Sequence, residues 1–142
     1  MGISKYKIKV DYQHDYYGVG ISTSANAHRT CYLINKALKI KLTRNNVEEE
    51  LGHIYDSGFP FIAYKYESEE YRFKLLLIKN KNEEGYFMKS CKEADFLLLV
   101  KEHEDAPINS DIIANLNKLD LIQLAYFIDL NKLKGGLKLS IE

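Results

Sequence analysis

The chain has no tryptophan, only two cysteines and two prolines, and no net charge. Each shortage excludes something. Cys31 and Cys91 fall short of the cysteine framework that staples small secreted domains. Reduced thiols and a cytoplasmic location are therefore expected. Twenty basic residues cancel twenty acidic ones. A dedicated nucleic-acid binder usually shows a visible basic excess, and a disordered chain a high net charge with low hydrophobicity. No apolar run approaches the ~20 residues that cross a membrane, so no membrane partner is expected. Residues Met1 to Lys9 read as a strand, not as an export signal. Gly18-Val19-Gly20 precedes a helix but lacks the third glycine of a dinucleotide loop. His14, His28, His53 and His103 are scattered, with no two spaced as a ligand pair on one element. We expect no metal and no other cofactor.

What is present describes a globular domain. Apolar residues make up 46% of the 142 and charged residues 28%, an ordinary balance for a chain that stands on its own core. Lys5 to Tyr12 alternates, with Tyr6, Ile8, Val10 and Tyr12 opposite Lys5, Lys7, Lys9 and Asp11, which predicts a half-buried strand. Tyr17 to Ser22 reads as a second strand, with Val19 and Ile21 inward. Gly18 and Gly20 on its other face imply a bulge or a close neighbour. Thr23-Ser24 offers an N-cap for a helix over Ala25 to Leu38, whose apolar stripe is Ala27, Cys31, Ile34 and Leu38. Ile40 and Leu42 alternate with lysines and suggest a short strand.

Asn45 to Gly58 carries no clear period. Phe59 to Glu67 and Tyr71 to Lys79 form the clearest hairpin. Leu75 to Ile78 and Phe96 to Val100 are apolar on both faces, which predicts central strands. Tyr86 to Met88 suggests another short strand. A second helix is expected over Asp111 to Leu119, with Ile112, Ile113, Leu116 and Leu119 as its apolar side. Leu121 to Ile128 is either the last main strand or a prolongation of that helix. A short tail strand over Leu137 to Ile141 is also expected. The order is roughly ββαββββαβ. It predicts one α+β domain over residues 1–142, a mainly antiparallel sheet with two helices packed on one face.

Candidate chemistry is sparse. His28 and Cys31 are neighbours on a helix, and an imidazole there could activate the thiol. Cys31 also belongs to the apolar stripe, where a free cysteine acts as a small hydrophobe. The first helix start has backbone N–H groups and Arg29 that could hold an anion. Lys5, Lys7 and Lys9 line one strand face, with Lys36, Lys39 and Lys41 further along. They could meet RNA, although the tyrosines of the first strand point the other way. Eleven tyrosines suit interfaces, where an apolar ring and a polar tip both serve.

Three segments together resemble the bacterial family named for its IPExxxVDY motif. They are Ala27 to Leu38, Met88 to Phe96, and Phe127 to Lys134. Ala94-Asp95-Phe96 stands at the Val-Asp-Tyr part of the motif; Met88-Lys89-Ser90, at the Ile-Pro-Glu part, does not reproduce that half. The resemblance implies a small cytoplasmic domain and assigns no catalytic residue. It singles out Asp95 as the motif position of chemical interest.

Three readings follow. The first is a protein-interaction module, not an enzyme, binding a protein or itself through a tyrosine-bearing surface or sheet edge. The second is a small-ligand binder or enzyme with a pocket near His28, Arg29 and Asp95. The third is a weak RNA binder through Lys5, Lys7 and Lys9.

Overall fold

Two stretches of the chain are apolar at every position, and the fold is arranged around burying both of their faces. The computed structural model describes residues 16–44, 61–70, 73–83, 85–102 and 112–129. In chain order these form β1 (Tyr16–Thr23), α1 (Ala27–Leu38), β2 (Thr43–Arg44), β3 (Ala63–Ser68) and β4 (Phe73–Lys79). There follow β5 (Lys81–Asn82), β6 (Gly85–Tyr86), a 3₁₀ turn at Lys89–Cys91, β7 (Phe96–Glu102), α2 (Ile112–Asn117) and β8 (Ile122–Ile128). Six strands make one sheet in the order β2-β3-β4-β7-β1-β8, and every neighbouring pair is antiparallel. The expected α+β class with a mainly antiparallel sheet is what the chain adopts.

β4 and β7 lie at the centre. Leu75 and Leu77 of β4 face the helices together with Phe96, Leu98 and Val100 of β7. α1 contributes Ala27, Cys31 and Ile34 to this layer, and α2 contributes Ile112 and Leu116, so both helices cover one face. Leu76, Ile78, Leu97 and Leu99 point to the opposite face, where Met88, Cys91 and Ala94 from the stretch before β7 cover them. A strand buried on both sides has no use for alternation, which is why these runs read as continuously apolar.

Several local expectations need correction. Thr23-Ser24 does not cap α1; Asn26 does, its side chain accepting from the Arg29 N–H at 2.8 Å. Thr23 belongs to β1 and is buried, and its hydroxyl donates to the Leu121 carbonyl. The strand expected at Ile40 and Leu42 is reduced to Thr43–Arg44. The Asn35 side chain takes both the N–H and the C=O of Leu42, at 2.7 and 3.1 Å, leaving that residue nothing for a ladder. The short strand near Tyr86 ends there and, among the described residues, pairs with β5 alone. Leu121 to Ile128 needs no correction: it forms the expected last main strand, Ile122–Ile128. The strands expected at 5–12 and 137–141 lie outside the described residues, as does 45–58.

Candidate functional site

Among the described residues, β8 is the edge strand next to β1. Its sequence, Ile-Gln-Leu-Ala-Tyr-Phe-Ile, contains no charge and no proline, the two devices that commonly protect a sheet edge. The register against β1 shifts between Ser22 and Thr23, so Ser22 meets Leu124 and Thr23 meets Ile122. Gln123 is the extra residue of a bulge. The shift lets Ile122 and Ala125, three apart, both enter the helix-side core. It leaves Leu124 on the opposite face, 51% exposed. Phe127 lies on the helix side beyond the core, 57% exposed, its ring 6.0 Å from that of Tyr17. Leu121, just before the strand, is also exposed.

The backbone edge is treated differently from the side chains. Asn117, at the end of α2, accepts the Ala125 N–H at 2.8 Å and donates to the Ala125 carbonyl at 2.9 Å. An amide side chain thus stands in for a neighbouring strand at that residue. Addition of a further strand is blocked there, while Leu124 and Phe127 remain presented.

Asp95 has a different task. It sits just before β7, where the chain enters the sheet. Its carboxylate accepts the Thr23 N–H at 2.8 Å and pairs with Lys81 Nζ at 3.1 Å. Its own N–H donates to the Ile21 carbonyl, and its carbonyl accepts from Asn80 and Lys81. His28 and Arg29 are exposed on the first turn of α1. The Asp95 carboxylate is engaged by Thr23 and Lys81, not by either of them. Lys5, Lys7 and Lys9 lie outside the described residues.

The resemblance-bearing stretch Met88 to Phe96 is held from below by Asn80, which is fully buried. The Asn80 amide donates to the carbonyls of Cys91 and Ala94 at 2.8 and 2.9 Å and accepts from the Met88 N–H at 2.7 Å. Met88, Cys91 and Ala94 thereby form a buried cover. Beside it, the Tyr126 hydroxyl donates to Glu93 at 3.1 Å. Its ring lies over Gly20 so closely that a Cβ there would sit 2.5 Å from Cζ. Burial, and then the Glu93 charge, raises the Tyr126 pKa.

Neither thiol is activated. Burial raises the pKa of Cys31, partly offset by Asn35, and its Sγ lies 3.5 Å from the Leu42 carbonyl. The structure turns Cys31 into the core and His28 out to solvent. Burial and the nearby Glu93 push Cys91 up to about 11. The two thiols lie on opposite faces of the sheet. Among the described residues no three His, Cys, Asp or Glu side chains could hold a metal ion, and no helix is long and apolar enough to cross a membrane. A groove of about 310 Å³ opens at the far end of β3, β4 and β7, lined by Glu67, Ser68, Glu69, Phe73, Lys74 and Lys101. Lys74 is 4.0 Å from Glu67, so charges of both signs face it.

The described residues thus define an α+β domain with a six-stranded antiparallel sheet and an apolar edge strand. No protein-family model matches the chain, and no curated protein matches it. The sequence does not mark β8 as a surface, because an apolar strand reads alike at an edge and in a core. The available signal was the absence of any charge along it.

Proposed function

We propose that this protein is a small cytoplasmic interaction module that binds a protein, another chain or a second copy of itself, across β8. The observation that supports it is the set of large apolar side chains exposed along one uncharged strand, Leu121, Leu124 and Phe127. Single exposed hydrophobics are ordinary; here they line one edge, with Leu124 and Phe127 on its two faces, so a partner that straddles the edge meets both. Asn117 at Ala125 favours recognition by side chains over strand addition. The resemblance to the IPExxxVDY family is in keeping with such a module, since it assigns no catalytic residue. The Asp95 corner is read as structural, because both its carboxylate oxygens have backbone or lysine partners.

The test compares the tagged protein with a Leu124→Asp, Phe127→Asp variant in extracts of its own cells, alongside sedimentation of each purified protein. A partner or a dimer seen with the parent chain and lost in the folded variant supports the reading. Identical behaviour of the two proteins would remove it.

A further inference from the structure

A second surface differs from β8 in every respect. Residues 16–47 contain Arg29, Lys36, Lys39, Lys41 and Arg44 and no aspartate or glutamate. This occurs in a chain whose acidic and basic residues are equal in number. All five basic side chains are exposed. Among the described residues, ion pairs form at Lys65, Lys74 and Lys81, not at these five. A helix face that is merely solvated usually mixes both signs and gains from pairs four residues apart. α1 has none.

Helical geometry gathers part of this charge, Arg29 and Lys36, around one aromatic ring. At about 100° per residue, His28, Arg29, Tyr32 and Lys36 fall within a single outward arc, opposite Ala27, Thr30, Cys31 and Ile34. Tyr32 is 56% exposed. Its neighbours one turn away are His28, Arg29, Asn35 and Lys36, and of these only Asn35 is committed inward, to Leu42. Lys39 follows as the C-cap of the helix and is exposed. It is the only non-glycine residue with positive φ among those described, at 57°. A helix end of this kind commonly takes glycine, because a side chain is strained there. A lysine keeps a cation at the helix exit at some expense of stability.

We infer that the outer face of α1 and its exit to β2 bind single-stranded nucleic acid. A base stacks on Tyr32, and Arg29, Lys36, Lys39, Lys41 and Arg44 track the phosphates. Cations and an aromatic on one exposed face are the combination that single strands require. An acidic protein segment would be served by the charges but would leave the exposed ring without a role. The inference does not rest on β8 and stands or falls separately.

The experiment is fluorescence anisotropy with a labelled single-stranded RNA of about 15 nucleotides, at about 50 and 200 mM salt. Binding should weaken with salt, with a log–log slope of about −0.7 per phosphate contacted. Arg29→Ala with Lys36→Ala should reduce that slope by about 1.4. Tyr32→Ala should weaken binding by about fivefold or more. These positions are exposed, so circular dichroism should show each variant folded. No binding at the lower salt would overturn the inference. So would equal affinity for a duplex of the same sequence, since paired bases cannot stack on Tyr32. Binding of polyglutamate as tight as RNA, with Tyr32→Ala unchanged, would overturn it in favour of an acidic protein.

Discussion

Three asparagine side chains act as pieces of backbone. Asn35 serves Leu42, Asn117 serves Ala125, and Asn80 serves Met88, Cys91 and Ala94. Each joins an irregular stretch to a regular one where a ladder bond cannot form. Asn80 matters most, because it is fully buried and all its amide bonds go to backbone groups. Replacing it by alanine strands the Met88 N–H and the Ala94 carbonyl, each costing about 1–3 kcal/mol when buried, while the Cys91 carbonyl keeps the Ala94 N–H. We expect Asn80→Ala to lose about 3 kcal/mol or more in urea unfolding; a loss below about 1 kcal/mol would contradict the assignment. Gly20 carries a separate prediction at the same scale. Gly20→Ala drives a Cβ into the Tyr126 ring, and overpacking of this kind costs about 1–3 kcal/mol. In a Tyr126→Ala background the same change should cost far less. Equal cost in both backgrounds would show that the ring is not the obstacle.

At the scale of elements, the sequence was legible wherever burial imposes a simple period. The all-apolar runs named β4 and β7 as central, and Ala27, Cys31 and Ile34 marked the inward stripe of α1. The glycine at position 20 announced a close neighbour without saying which. What stayed hidden depends on long-range partners. Nothing local distinguishes Asn26 from Thr23-Ser24 as a cap; burial of Thr23 against Leu121 decides it. Nothing near Leu42 shows that Asn35 will consume its backbone groups. The β8 bulge arises from pairing with β1 and is invisible in β8 alone. The stretch from Met88 to Asp95 resembles a family motif, and its observed work is to cover the second face of the sheet. That cover has a pH signature. Cys91 is held at about 11, above its ordinary value near 9, so between these pH values the folded chain holds a proton that the unfolded chain has released. Stability is therefore full below about pH 9 and is lost as pH rises through about 11. Tyr126, raised in the same sense, extends the loss to higher pH. Urea midpoints should fall over this window, and less steeply in Cys91→Ala; equal slopes would place the titration elsewhere.

Across the whole molecule, both proposals place function on surfaces and neither places it in a cleft. The Asp95 corner and the Asn80 cover hold the sheet together. The β8 edge presents apolar side chains, while the outer face of α1 presents unpaired positive charge. Residue types carried the second of these openly, since a run of 32 residues without an acid can be read from the chain. They concealed the first, because an exposed leucine or phenylalanine looks like core until the fold is known. The central claim, that β8 is the contact surface, is tested most directly by comparing the parent chain with Leu124→Asp, Phe127→Asp in sedimentation velocity and in tagged recovery from native extract. Substitutions at exposed positions should leave the unfolding midpoint almost unchanged. The account predicts a dimer or a stoichiometric protein partner with the parent chain and its loss in the variant. A parent chain that is monomeric and recovers nothing, or a variant that recovers the same partner, would contradict it.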